Sequence, residues 1–96
     1  MQFAHVTGIV IEDEHGYRLL VTLDDRARVR SVRDERLSSL LRHDGEPDLL
    51  WTADQLTQET IGTVLAEEGW EALAVVEPDD KTAPGPATVS YLVRRA

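Results

Sequence analysis

The stretch LAEEGWEALAVVE at residues 65–77 joins an acidic helical segment to a run of small apolar residues. Gly69 stands where the helix would end, because glycine adopts the left-handed backbone of a helix terminus without a steric penalty. The residue after such a glycine commonly packs back on the last helical turn, and Trp70 is placed to contact Leu65 in this way. The sequence therefore predicts a structural corner of Leu65, Gly69 and Trp70 that ends a helix and begins a strand at 71–77.

Trp70 has a second interpretation, as an exposed platform for a ligand. A buried tryptophan with an apolar anchor is the commoner arrangement, and it suits a residue that follows a helix-ending glycine. We therefore expect Trp70 to stabilise the corner rather than to present its ring to a ligand.

Two helices are predicted before this corner. The second has Thr52 as its N-cap and Gln55 as the partner in a capping box, and its apolar residues follow a 3.6-residue period. The first is predicted to begin at Ser31, which would act as its N-cap, and to end at Gly45. The apolar stripe of the first helix would consist of Leu37, Leu40 and Leu41.

Alternating and β-branched residues predict strands on both sides of these helices. Residues 3–11, 17–23 and 26–31 are predicted to form an antiparallel meander, and residues 88–94 the last strand. With the strand at 71–77 they give the order β-β-β-α-α-β-β. The expected fold class is therefore α+β, with two helices on one face of an antiparallel sheet.

The composition is that of one folded domain over residues 1–96. The chain is 42% hydrophobic and 29% charged, and it has no cysteine, which excludes disulfides and cysteine-ligated metals. A flexible loop is expected at residues 78–87, where the sequence PDDKTAPGPA is rich in proline and polar residues. Apolar runs too short for a membrane span and an N-terminus unlike a signal peptide predict a cytoplasmic location.

Three arginines form the most distinct charge feature of the sequence. The net charge of −8 disfavours nucleic acid and membranes as partners, yet Arg26, Arg28 and Arg30 alternate within one predicted strand. Residues two apart on a strand project from the same face, so this stripe would suit an acidic protein partner, a phosphorylated ligand or RNA. The alternative is that these charges protect an outer strand from edge-to-edge aggregation.

Strand alternation also predicts where the protein would associate with itself. If the helices cover one face of the sheet, a set of aliphatic residues is left on the opposite face. These are Leu20, Leu73, Val75 and Leu92, with Val6 and Val10 beside them. An apolar centre on that face predicts a homodimer with two-fold symmetry. The alternative is that the N-terminal strand or the 78–87 loop covers the same residues within one chain.

The sequence contains no recognisable motif for catalysis, for a cofactor or for a metal. It lacks a phosphate-binding glycine loop, a G-x-S-x-G turn and an H-E-x-x-H helix, and its three histidines are widely separated. The acidic turn at residues 12–15 lacks the ligand spacing of a calcium loop. Carboxylates that are distant in the sequence could still meet in the fold, so an acidic catalytic pair is left open.

The second half of the chain contains the run EGWE at residues 68–71, an apolar strand, a variable segment, and a last strand with Tyr91 and Arg95. This arrangement resembles a small uncharacterised bacterial domain family with a Glu-Gly-Trp-Glu helix-to-strand corner and a terminal strand containing an aromatic residue and arginine. The three-stranded start departs from the shorter pattern of that family. The resemblance implies a compact α+β fold and no known reaction.

The sequence thus predicts a small, non-enzymatic interaction module of the cytoplasm. It would self-associate through the open face of the sheet and bind an acidic partner through the arginine stripe. The alternative is a small enzyme, or an accessory subunit of a biosynthetic enzyme, with a cleft under the 78–87 loop.

Overall fold

One antiparallel sheet organises the chain, and the computed structural model describes residues 1–76 and 87–96 of it. The strands are β1 (Gln2–Asp13), β2 (Gly16–Asp24), β3 (Val29–Leu37), β4 (Arg42–His43), β5 (Glu46–Pro47), β6 (Glu71–Val76) and β7 (Ala87–Arg95). Five of them form an antiparallel sheet in the order β3-β2-β1-β7-β6, and β4 pairs with β5 in a separate ribbon. The predicted α+β class with an antiparallel sheet is confirmed.

A single helix lies against one face of this sheet in the described part of the chain. It consists of α1 (Leu49–Thr60), a π-helical turn (Ile61–Leu65) and a 3-10 turn (Ala66–Glu68). Asp48 caps its N-terminus, because the Asp48 carboxylate accepts a hydrogen bond of 2.9 Å from the Trp51 N–H. The prediction of Thr52 as the N-cap is wrong. The Thr52 hydroxyl lies inside the helix and donates to the Asp48 carbonyl oxygen at 2.7 Å.

Residues 29–37 form the strand β3, so the predictions of a helix beginning at Ser31 and of a second helix on the sheet are wrong. β3 pairs with the outer edge of β2 and forms the border of the sheet, where Asp34, Glu35 and Arg36 are exposed to solvent. A bulge in this pairing between Val21 and Thr22 shifts the alternation, and Val32 packs against the core. Pairing with β2 therefore outweighs the local helical spacing of the leucines.

The core lies between α1 and the face of the sheet that carries the alternating apolar residues. Its buried members are Ala4, Val6, Val10, Leu19, Val21, Leu23, Ala53, Ile61, Leu65, Trp70, Tyr91 and Val93. Full burial of one large apolar side chain stabilises a fold by roughly 1.5–3 kcal/mol, so this layer is the main source of stability. Val6 and Val10 were predicted on the opposite face. That prediction is wrong, because the even-numbered residues of β1 face the helix.

α1 crosses β1 at Gly8 in very close contact. A Cβ atom at Gly8 would lie 1.7 Å from the Thr57 Oγ1 and 2.9 Å from the Thr57 Cβ. Real side chains do not approach so closely, so any residue larger than glycine would push the helix away from the sheet. Gly8 therefore sets the distance between the two layers.

The sequence analysis left open that the N-terminal strand or the 78–87 loop covers the open face of the sheet. The N-terminal strand is β1, a central strand with neighbours on both sides, so it does not fold over the uncovered face. The predicted loop 78–87 lies outside the described residues except for Ala87, which begins β7. Within residues 1–76 and 87–96, no helix is long and apolar enough to cross a membrane.

Candidate functional site

The corner between the helix and β6 lies at one end of the sheet. Gly69 has a φ of 89°, in the left-handed region that favours glycine, and its N–H donates to the Ala66 carbonyl oxygen at 3.0 Å. The Trp70 N–H donates to the Leu65 carbonyl oxygen, also at 3.0 Å. The Leu65 and Trp70 side chains are both buried. Trp70 is therefore part of the core, and it is not an exposed platform.

Arg26 and Arg28 do not belong to a strand, because β3 begins only at Val29. They lie in a turn that the side chains of Asp24 and Asp25 stabilise. Asp24 Oδ1 accepts from the Arg26 N–H at 3.0 Å, and Asp25 Oδ1 accepts from the N–H groups of residues 27 and 28 at 3.1 Å each. Arg26 has a left-handed backbone, with a φ of 77°. The prediction that alternation aligns Arg26, Arg28 and Arg30 on one strand face is therefore wrong.

Two of these arginines instead line a cleft of about 210 Å³ beside the corner, which we call the arginine cleft. Its lining residues are Leu23, Asp25, Arg28, Arg30, Glu68, Trp70 and Arg95. Arg95 comes from the end of β7, and its guanidinium lies 4.5 Å from the centroid of the Trp70 ring, in a cation–π contact. No local pattern predicts this arrangement, because the cleft joins residues that are far apart in the sequence.

The hydrogen bonds of the arginine cleft leave part of its positive charge unpaired. Arg30 Nη2 donates to Glu68 Oε1 at 2.6 Å, and Arg95 Nε donates to Gln2 Oε1 at 2.6 Å. The Arg28 side chain has no hydrogen bond or ion pair with any described residue. Three guanidinium groups face two carboxylates, so the cleft carries one net positive charge on a chain whose net charge is −8.

The strand β6 forms the edge of the sheet beyond β7. All six of its residues are exposed, including Leu73 at 40%, Val75 at 60% and Val76 at 37%. Among the described strands it pairs only with β7, so its outer backbone edge has no strand partner there. The preceding π-helical turn contacts β6 and adds another exposed apolar side chain, that of Val64. β6 is therefore an apolar edge strand that α1 does not cover.

The register of β6 changes which face its side chains occupy. The pairing with β7 is irregular between Ala72 and Ala74, and beyond this bulge Val75 is paired with Tyr91. Cross-strand partners share a face, so Val75 lies on the helix side of the sheet. The prediction that Val75 lies on the uncovered face is therefore wrong, because the bulge shifts the alternation by one residue.

Leu20 and Leu92 do lie on the uncovered face, but they do not form one apolar patch with β6. Both are half-buried, and β1 separates their strands. A row of hydroxyl-bearing residues crosses the face between them. This row consists of Thr22, Thr7 and Ser90, and the hydroxyls of Thr7 and Ser90 are 3.3 Å apart. The predicted self-association residues therefore divide between the sheet face, with Leu20 and Leu92, and the β6 edge, with Leu73 and Val75.

Ion pairs surround the uncovered face. Arg18 pairs with Asp34 at 2.5 Å, Arg36 with Asp13 at 2.9 Å, and Arg94 with Glu71 at 2.5 Å. The hydrogen bond from Arg36, together with one from the His15 backbone N–H, lowers the pKa of Asp13 to about 2. The hydrogen bond from Arg18 likewise lowers the pKa of Asp34. These pairs are exposed, so their effect on stability is small.

A partly buried polar pair, Tyr91 and Asp54, connects α1 to β7. The Tyr91 hydroxyl donates a short hydrogen bond to Asp54 Oδ1, and the Tyr91 side chain is buried. Burial, and then the hydrogen bond to Asp54, raise the pKa of Tyr91 to about 12. Tyr91 therefore keeps its proton at neutral pH and is a poor general base.

The described residues contain no group of three or more His, Asp or Glu residues that is placed to hold a metal ion. The cleft predicted under the 78–87 loop lies outside the described part of the chain. Comparisons with protein-family models, with curated proteins and with solved structures gave no match.

Proposed function

We propose that the protein is a small interaction module that forms a two-fold dimer by pairing β6 with β6 of a second copy. One observation carries this proposal, namely that an apolar edge strand is exposed along its whole length. An unpaired strand edge presents free backbone N–H and C=O groups, which a second strand satisfies. A two-fold axis at this edge makes the two copies of β6 antiparallel and extends the sheet from five strands to ten.

The composition of β6 favours self-pairing. Glu71 is its only charged residue, and the Glu71 carboxylate is already paired with Arg94. Two copies that meet at this edge therefore avoid most of the repulsion expected between chains of net charge −8. The exposed side chains of Leu73, Val75 and Val76 would lose contact with water at the interface, which is the driving force for association.

The uncovered face is a weaker candidate for the same contact. Its hydroxyl row, formed by Thr22, Thr7 and Ser90, would have to find new hydrogen-bond partners when it leaves water. Its bordering ion pairs would also lose part of their solvation. The edge has no such hydroxyl row and carries only one of these ion pairs, Arg94 with Glu71, so the geometry favours a β6 interface over the face-to-face dimer.

Two substitutions of matched exposure test the interface. Val75 on β6 is 60% exposed, and Val29 on the opposite edge of the sheet is 65% exposed. A lysine at either position adds the same charge, but only Val75→Lys places like charges at the proposed interface. We expect the wild type to dimerise with a dissociation constant of about 1 μM, so that it is a dimer by sedimentation at about 100 μM. At the same concentration Val75→Lys should be a monomer, and Val29→Lys should behave as the wild type.

Circular dichroism spectra of both variants serve as the control for folding. A wild-type protein that is monomeric at the same concentration would refute the proposal. So would equal weakening by both lysines, because that result would mean that net charge and not the β6 edge controls association.

A further inference from the structure

We propose that the arginine cleft binds a small phosphate monoester. The proposal concerns a different surface from the β6 interface and does not depend on dimerisation. It develops the predicted role of the arginines, but with a different set of residues. Arg28 and Arg30 remain, Arg26 is excluded because it does not line the cleft, and Arg95 is added from the other end of the chain.

The donors of the cleft suit a tetrahedral oxyanion. Arginine presents its N–H groups as a rigid fork that matches the oxygen atoms of phosphate, and such charged hydrogen bonds are stronger than neutral ones. The Arg28 side chain has no hydrogen-bond partner among the described residues, and Arg30 uses only Nη2, which donates to Glu68. Arg95 uses Nε and Nη1, the latter for the Glu68 carbonyl oxygen at 3.4 Å. N–H groups therefore remain on all three side chains for a ligand.

The volume of the cleft limits the size of the ligand. At about 210 Å³ it is smaller than the sites of roughly 300–1,000 Å³ that hold drug-sized molecules. A phosphate ion, with its five heavy atoms, occupies only part of such a cleft. The remaining space suits a short polar group, and the Asp25 carboxylate lies in the lining as an acceptor for a hydroxyl.

The same residues disfavour nucleic acid. Arg95 already covers one face of the Trp70 ring, and the Trp70 side chain is only 3% exposed, so stacking of a base on this ring is blocked. A long polyanion would also approach the acidic remainder of a chain of net charge −8. A small dianion, in contrast, meets mainly the local positive charge of the cleft.

Glu68 acts as an internal competitor in this arrangement. Its carboxylate occupies Arg30 in the ligand-free protein, at a distance of 2.6 Å. A bound phosphate would share Arg30 with this carboxylate and would be repelled by its charge. Removal of that charge is therefore expected to strengthen binding.

Nuclear magnetic resonance on the ¹⁵N-labelled full chain provides the test, with glycerol 3-phosphate as the probe at constant ionic strength. We expect saturable shifts of the backbone amides of residues 28–30, 68–70 and 95, with a dissociation constant below about 10 mM. Arg28→Ala should weaken binding by about ten-fold. Arg26→Ala removes the same charge from the same turn without touching the lining, and it should leave affinity within about two-fold of the wild type.

Two further measurements sharpen the test. Glu68→Gln keeps an acceptor for Arg30 but removes the charge, and it should tighten glycerol 3-phosphate binding several-fold. Inorganic phosphate should bind more weakly than glycerol 3-phosphate, because it fills less of the cleft. The proposal would be overturned by the lack of saturable shifts below 10 mM, by equal losses in Arg28→Ala and Arg26→Ala, or by tighter binding of inorganic phosphate.

Discussion

The two edges of the sheet differ in how they are protected. β3 carries Arg30, Arg33, Asp34, Glu35 and Arg36 among its nine residues, whereas β6 has no charged residue after Glu71. Charged side chains on an edge strand discourage pairing with another chain, because their desolvation is costly. The composition of β3 therefore discourages a partner strand, and the composition of β6 does not.

The charges of β3 are also used within the chain. Arg33 donates from Nη2 to Glu35 at 2.7 Å and from Nη1 to the Thr60 hydroxyl at 3.1 Å, which ties the edge to the helix. Arg36 reaches Asp13 across β2. Arg33 and Arg36 thus anchor the outer strand within the chain. Arg28 and Arg30 line the arginine cleft instead.

The largest expected effect concerns the anchor of the β6 edge. Trp70 immediately precedes β6 and is 3% exposed, so Trp70→Ala should lower the free energy of unfolding by about 3–5 kcal/mol. Trp51, which is 37% exposed, provides the control. Trp51→Ala should cost clearly less in the same urea titration. Equal and small losses for the two variants would mean that Trp70 does not hold the corner.

The next effect concerns the close contact between β1 and α1, where Gly8 faces Thr57. Gly8→Ala places a methyl group against the Thr57 side chain and should destabilise the fold by about 1–3 kcal/mol. The double variant Gly8→Ala, Thr57→Ala removes the clashing hydroxyl and should recover part of the loss. Additive effects of the two changes in urea unfolding would contradict the close approach.

The sequence predicts the parts of this fold that depend on local chemistry. The placement of Gly69 after an acidic helical run indicates where the helix ends, and the alternation of β2 indicates a half-buried strand. The leucines of residues 37–41 follow a helical spacing locally, yet residues 29–37 pair with β2, because tertiary pairing outweighs such a short pattern. Local spacing alone does not reveal which strand edge is available.

The candidate surfaces were harder to predict for the same reason. The bulge between Ala72 and Ala74 moves Val75 to the other face, and a bulge depends on the partner strand rather than on local sequence. Arg95 and Arg28 line the same cleft, although they are far apart in the sequence and β1 and β2 lie between β7 and β3 in the sheet. Single-sequence patterns carry no signal for either arrangement.

A third prediction separates the β6 edge from the uncovered face. Leu20 lies on the uncovered face, where Leu20→Lys would place its ammonium beside the cross-strand partner Asp34. If the dimer forms through β6, this variant should keep its dissociation constant within about two-fold, while Val75→Lys raises it at least about ten-fold. Sedimentation over a concentration series measures both. A larger effect of Leu20→Lys than of Val75→Lys would mean that the dimer forms through the uncovered face.

The smallest expected effect is a difference in acid sensitivity at the β3 edge. Folding lowers the pKa of Asp13 from 3.8 to about 2, chiefly through the hydrogen bond from Arg36. A carboxyl with a lowered pKa in the folded state contributes stability above its unfolded pKa, and that contribution is lost as the pH falls through the folded value. The Asp13–Arg36 contact should therefore weaken between about pH 4 and pH 2.

The Asp13→Asn variant isolates this contribution, because the asparagine cannot titrate. Its free energy of unfolding should be slightly lower than that of the wild type at pH 7, and the difference should vanish towards pH 2. Glu14→Gln is the matched control. It removes a neighbouring exposed charge that lies outside the Arg36 contact. A pH-independent difference between Asp13→Asn and the wild type would mean that the ion pair does not hold β3 to the end of β1. The protection of the β3 edge would then rest on the presence of its charges and not on their pairing.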